Sequence, residues 1–302
     1  MTYSIVARDP HTGALGVACQ SHFFAVGAAV NHARAGIGVV ATQSFVEPAY
    51  GVRGLDLMAA GAAPDEALER VRETDPLARL RQVAMIDSQG RAAVHTGRCC
   101  VPEHGNRAGN NYLVQGNMLA SPLVLDAMAE AMNRDAPLAE RLLDALRAAE
   151  AAGGDLRGSQ AAGMRIVSGK SETALGTGTL LDLRVDDAAD PVAELARLVR
   201  QHELATALAG VLFAEGLVIG GTPEPDPDAL DHALDRLAEL AGHDGEVALD
   251  ARLWRTILLD RAGRAEEAHE AARAVTAGRP ALKQFLVNLD AAGFLPARRE
   301  PR

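Results

Sequence analysis

Aromatic residues make up only 3% of this 302-residue chain, cysteine occurs three times, and basic residues are outnumbered, 30 Lys and Arg against 40 Asp and Glu. Each scarcity excludes something. Few Phe, Tyr and Trp leave no stacking platforms of the kind that single-stranded nucleic acid or RNA recognition uses. A net charge of −10 leaves no basic face to track phosphates, so nucleic acid is not an expected partner. Cys19 and the adjacent Cys99 and Cys100 give neither a disulfide framework nor zinc-ligand spacing, which fits a reducing compartment and no metal. No run approaches the ~20 apolar residues of a membrane span, and MTYSIVARDP lacks the charged and apolar regions of an export signal. The expectation is a cytoplasmic protein with no membrane association and no cofactor.

What is present is a globular composition, 48% hydrophobic and 23% charged, in a chain long enough for one large domain or two unequal ones. YSIVAR, the turn DPHTG and LGVAC read as an N-terminal hairpin, followed by strand patterns in AVGAAV and AGIGVVATQS. The period then changes to that of a helix across 48–60 and 64–74, with Pro64 and Asp65 at a helix start. RQVAMID, the Ser88-Gln89-Gly90 turn and RAAVHTG predict a second hairpin. NYLVQGN is another strand, and helices follow over 121–133 and 137–152. AAGMRIVSG and LLDLRVDD predict a returning hairpin turning at GTGTL (176–180), and 191–215 one more helix. Hairpins alternating with helix pairs predict an α+β fold, two antiparallel sheets face to face with helices outside, a four-layer αββα sandwich over 1–220. GGTPEPDPD (220–228) reads as a linker, and 221–302 as a small all-α C-terminal domain of four helices carrying Leu230, Leu234, Leu237 and Leu240, then Leu249, Leu253, Ile257 and Leu258.

The front of the chain carries the most chemistry. Thr2 precedes the first strand, and a small residue there permits removal of Met1. Thr2 would then hold both a hydroxyl nucleophile and an α-amine of pKa ~7.7–8.0 that can act as base. Met-Thr is also a common start, so the strand context is what gives the dipeptide weight. Polar residues gather at other strand ends: Ser21 and His22 in CQSH, His32 and Arg34 in NHARAG, Thr42, Gln43 and Ser44 in ATQSF, and Gln115 and Asn117 in VQGN. Gln43 or Asn117 could donate to an oxyanion, although amides beside glycine also commonly satisfy turn backbone. Arg53 could bind a carboxylate, or pair with Asp56 or Glu47. His11, His95 and His104 read as turn or surface residues.

ARDPHTGALGVA, AGIGVVATQ, PAYGVRGLDLMAAG, RQVAMID, VQGNMLA and AERLLDALRAAEAAGGDLRG, in this order over roughly 1–220, resemble the bacterial family known as domain of unknown function 1028. The resemblance implies an Ntn-hydrolase-like fold with a site at the N-terminus, but no assigned reaction. Carried over by position, Thr2 matches the nucleophile of the N-terminal-nucleophile hydrolases. Proteasome-like members of that superfamily place an acid and a lysine nearby, where this chain has Gln20-Ser21-His22 and His32/Arg34. The tail 223–302 is similar, through GRPALKQFLVNLDAAGFLP, to a peptidoglycan-binding-like domain of some family members.

The resulting expectation is an amidohydrolase acting on a small-molecule amide: Thr2, Gln43 and Asn117 catalytic, with Ser21, His22, His32, Arg34, Thr42, Ser44, Arg53 and Gln115 around the substrate, in a homo-oligomer. The alternatives are a non-catalytic binder using the same cleft and a peptidoglycan or partner-binding module acting through the tail.

Overall fold

A computed structural model describes residues 2–171, 178–214, 217 and 226–292. The chain divides into two compact units, 1–199 and 200–302. The stretch 220–228, read above as a linker, lies mostly outside the described residues, as do Met1, part of the GTGTL turn and the last ten residues.

In the first unit, β1 (Thr2–Arg8) and β2 (Leu15–Ser21) form the expected hairpin. Its turn is built by Asp9, whose carboxylate accepts from the Thr12 amide (2.8 Å), the Thr12 hydroxyl (2.9 Å) and the His11 amide (3.0 Å). There follow α1 (Val26–Val30), β3 (Asn31–Arg34), β4 (Gly38–Ser44), α2 (Ala49–Ala59) and α3 (Pro64–Glu73). The second hairpin is β5 (Arg81–Asp87) with β6 (Ala92–Thr96). Next come β7 (Gly105–Gly109), β8 (Tyr112–Asn117), α4 (Leu123–Met132), α5 (Leu138–Ala151), β9 (Ala161–Val167) and β10 (Thr179–Val185), and α6 (Pro191–Leu212) begins in this unit and ends in the second.

Two of these elements correct the sequence reading. AVGAAV, expected as a strand, is the short helix α1, because its small residues let it lie close on the sheet: a Cβ on Gly27 would sit 3.2 Å from the Gly163 Cα. GNRAG forms β7, an edge strand without the apolar alternation that would have marked it.

All pairings are antiparallel, in a six-stranded sheet of order β10-β9-β2-β1-β8-β7 and a four-stranded sheet of order β3-β4-β5-β6. Alternation along each strand sorts the side chains by face. Tyr3, Ile5 and Ala7 of β1 pack with Val114 and Met164 under Met128, Leu142 and Leu146 of α4 and α5. Val40, Val83 and Met85 of the smaller sheet pack under Tyr50, Leu55 and Met58 of α2 and Leu68 and Val71 of α3. The facing residues of the two sheets, Val6, Leu15, Val17, Val39, Ile86 and Leu113 among them, form the core between them. Arg141 of α5 reaches the hairpin turn and pairs with Asp9 at 2.8 Å, both side chains about nine-tenths buried.

In the second unit, α7 (Pro227–Ala241), α8 (Glu246–Arg261), α9 (Ala265–Gly278) and α10 (Leu282–Ala291) follow one another through short turns. Leu230, Leu234, Leu237 and Leu240 of α7 form one buried stripe with Leu258 and Leu259 of α8 and Ala268 of α9. No described helix is long and apolar enough to cross a membrane.

Candidate functional site

The space between the two sheets changes character along its length. At one end the inward residues are aliphatic; at the other they are Thr2 and Ser4 of β1, Ser21 of β2, Gln43 of β4, Gln82 of β5, and Gln115 and Asn117 of β8, all buried. The same period-two alternation that delivers Val6 and Val17 to the core delivers these polar side chains to the same layer. A buried polar group costs free energy unless it is hydrogen-bonded, and these bond across the sheets.

Gln82 is the hub. Its Nε2 lies 2.9 Å from the Gly116 carbonyl, 3.1 Å from the Thr96 hydroxyl and 3.2 Å from the Gly105 carbonyl. Its Oε1 accepts from Gln43 Nε2 at 2.8 Å and from Asn117 Nδ2 at 3.0 Å. The same two amides converge on the carbonyl of Thr2, Gln43 at 3.0 Å and Asn117 at 3.4 Å. Thr2 is 6% exposed, and its hydroxyl donates to Ser21 Oγ at 3.1 Å. The backbone of residue 2 is therefore gripped from both sheets. Gln43 Oε1, Gln115 Oε1 and Asn117 Oδ1 have no hydrogen-bond partner among the described residues.

A cleft of about 240 Å³ opens beside Thr2, Ser21, Gln43 and Ser44. Its far wall is apolar: Phe23, Val26 and Val30 from the β2–α1 region, Phe45 and Val46 after β4, and Met118 after β8. Arg157 stands at its edge, held to Asp155 at 3.2 Å, while Asp155 also accepts from the His22 amide at 3.1 Å. Three non-glycine residues around this cleft hold left-handed backbone: Ala25 (φ 54°), Ser44 (φ 73°) and Met118 (φ 52°). Such conformations cost roughly 1–3 kcal/mol each and gather where function constrains the chain. Arg81 secures the rim, donating to the Phe45 carbonyl at 2.7 Å while pairing with Asp75 at 2.9 Å. The Arg81 guanidinium holds the Asp75 carboxyl below the usual carboxylate range. Tyr50 also donates to Asp75, at 3.2 Å, and burial, with Asp75 beside it, raises its phenol.

Among the residues expected at the site, Thr2, Ser21, Gln43 and Ser44 line the cleft, and Asn117 stands behind it on the Thr2 carbonyl. The amide hydrogens of Gln43 and Asn117 point to Thr2 and Gln82, so their place in this geometry is to hold residue 2 rather than to face a substrate oxyanion. Gln115 lies deeper, donating to Ser4 Oγ (3.2 Å) and across the sheets to the Ala41 carbonyl (3.1 Å). The others point away. Thr42, one residue from Gln43, takes the opposite face and donates to the Glu47 carbonyl at 3.2 Å. His32 packs flat on α2, where a Cβ at Gly51 would overlap its ring, and burial lowers its pKa. Arg34 pairs with Asp56 at 2.7 Å, and Arg53 donates to the Thr74 hydroxyl at 3.2 Å rather than pairing with Asp56 or Glu47. The His22 side chain is exposed.

Sequence reasoning missed Gln82, Phe23, Phe45, Met118 and Arg157. For Gln82 a signal existed: a lone amide on an otherwise apolar strand, in RQVAMID. The cysteines are peripheral to the chemistry. Burial pushes the Cys19 thiol up to about 12 and also raises Cys100, which donates to the Arg81 carbonyl at 3.4 Å.

No functionally curated protein matches the chain. Among solved structures it is similar to the crystal structure of protein SPO2555 from Silicibacter pomeroyi, at 32% identity and a TM-score of 0.61, covering 66% of this chain and 85% of that one. The profile of the family of unknown function DUF1028 matches residues 2–195, which takes in all of β1 to β10 and the site just described. The chain belongs to the DUF1028 family.

Proposed function

We propose that the first unit is a four-layer αββα sandwich of the N-terminal-nucleophile hydrolase type, and that it cleaves a small amide through Thr2. The observation that carries this reading is the position of Thr2: the opening residue of a central strand, buried at the polar end of the inter-sheet space, lining the cleft, and with its carbonyl clamped by Gln43 and Asn117. A residue that only begins a strand needs no such clamp.

After removal of Met1, the Thr2 hydroxyl attacks the amide carbonyl carbon. Its proton passes to the Thr2 α-amine and then to the departing nitrogen as the C–N bond breaks, leaving an ester on Thr2. Water, deprotonated by the same amine, attacks the ester and returns the hydroxyl as the acid leaves. Fixing residue 2 from both sheets supplies the orientation this step needs, since misplacement by 1 Å can cost 10²-fold in rate. Gln82 acts one step back, orienting the two amides that hold Thr2.

The test is mass spectrometry of the purified protein combined with an amide-directed electrophilic probe on wild type and Thr2→Ala. The expected result is a chain beginning at Thr2, labelled at that residue, and no label in the variant. Met1 retained on every molecule, or labelling that survives Thr2→Ala, overturns the mechanism. A second reading, a binding cleft without chemistry, is favoured by the engagement of both amides away from the cleft. It predicts ligand binding with no label in either protein.

A further inference from the structure

Resting on that reading, we infer that the cleft beside Thr2 selects the acyl side of its substrate: a neutral, apolar acyl group of short-chain or single-ring size. Three observations converge on this class.

The first is where the aromatic residues stand. The chain has six phenylalanines, and two of them, Phe23 and Phe45, sit more than half exposed (54% and 55%) on the cleft wall. Val46 and Met118 add to the apolar lining there, with Val26 and Val30 buried behind it. In a water-filled cleft that wall gains only when an apolar group covers it.

The second is charge. The one charged residue lining the cleft among those described is Arg157, and its guanidinium is matched by the buried carboxylate of Asp155. Apart from the Thr2 α-amine, which the mechanism itself uses and which would repel a cation, the cleft offers a charged acyl group no unbalanced counter-ion, and a cationic group there would lose hydration without return. The uncharged polar lining residues are Thr2, its hydrogen-bond partners Ser21 and Gln43, and Ser44 next to Gln43, so polar atoms gather where the scissile carbonyl would lie.

The third is size and continuity. A volume of about 240 Å³ corresponds to roughly eight water-sized groups, at ≈ 30 Å³ each. That fits a short alkyl chain or a phenyl ring as the group seated in the cleft. Thr2 and its hydroxyl's partner Ser21 both line this volume, so an acyl group seated on the wall would present its carbonyl to the nucleophile.

Affinities of unbranched primary amides from acetamide to hexanamide, of phenylacetamide, and of the cationic 6-aminohexanamide are to be measured by ligand-observed NMR on full-length wild type, Thr2→Ala, Phe45→Ala and Ala29→Phe. Removing a methylene from water gains about fourfold in affinity. Binding should therefore tighten about fourfold per added carbon in wild type and Thr2→Ala, with the cationic amide at least tenfold weaker than hexanamide. Phe45→Ala should flatten the gradient, and Ala29→Phe, which fills the cleft without touching residue 2, should abolish it. Affinity indifferent to chain length, a cationic amide bound as tightly as hexanamide, or a gradient that persists in Ala29→Phe overturns the inference. Because Thr2→Ala retains the wall, a gradient present alongside absent covalent labelling would overturn the nucleophile and leave the acyl-binding wall standing. Labelling without a gradient would do the reverse.

Discussion

The two ends of the inter-sheet space are made by the same strands with the same alternation, yet they are held together differently. Around Val6, Leu15, Val39, Ile86 and Leu113 the sheets adhere by apolar burial, which is tolerant of small shifts and has no direction. Around Thr2, Gln43, Gln82 and Asn117 they adhere through hydrogen bonds, each worth about 1 kcal/mol net and each fixing a position. Filling the second end with valine and leucine would serve stability as well or better. The directional end therefore marks the place where geometry is needed, and it is the end that borders the cleft.

The largest effect is expected from Gln82→Leu. It removes from a buried layer the hydrogen bonds accepted from Gln43 and Asn117 and those donated to the Gly116 and Gly105 carbonyls and the Thr96 hydroxyl, each worth about 1 kcal/mol net, so urea unfolding should report a loss of about 4 kcal/mol. Probe labelling of Thr2 should fall with it. A variant as stable as wild type would erase the difference between the two ends.

The matching substitution at the apolar end, Leu113→Ala, is expected to cost about 3 kcal/mol by the same measurement. It should leave the labelling rate of Thr2 unchanged at temperatures where the protein is folded. Equal losses of labelling in both variants would show that stability alone governs the site.

A third test separates rim from core. Asp75→Asn weakens the lashing of Arg81 to the Phe45 loop and should cost about 2 kcal/mol at neutral pH. Since the Arg81 guanidinium depresses the Asp75 carboxyl in the folded protein, the stability this group contributes is complete above its unfolded pKa of about 3.9 and is lost as pH falls through the lower folded value. Urea midpoints taken between pH 5 and pH 2 should show a shallower acid limb in Asp75→Asn than in wild type. The smallest change in stability, within about 0.5 kcal/mol, belongs to Phe45→Ala, a half-exposed side chain whose loss should be read in amide affinity instead.

The same comparison explains how much was legible from sequence. The hairpins β1–β2, β5–β6 and β9–β10 and the helices α2 to α6 carry clear periods and turn residues, so the α+β arrangement follows from local pattern. The convergence of Thr2, Ser21, Gln43 and Asn117 was legible because each sits at a strand end. Thr42 was misplaced for a physical reason: in ATQSF, Thr42 and Gln43 alternate to opposite sides of the sheet, whereas Ser44 reaches the cleft beside Gln43 where the strand ends in left-handed backbone. His32 and Arg34 share the face of β3 that meets α2, which only the pairing of β3 with β4 reveals. Gln82 and Arg157 are joined to the site by contacts spanning tens of residues, and no local period encodes those.

The left-handed turns at Ala25 and Ser44 carry an evolutionary consequence. Glycine would occupy either position with less steric penalty, recovering up to about 1 kcal/mol after its extra chain entropy is counted. A laboratory population selected for melting temperature alone should drift toward Ala25→Gly and Ser44→Gly, and, on the proposed function, its members should react more slowly at Thr2 as they gain heat resistance.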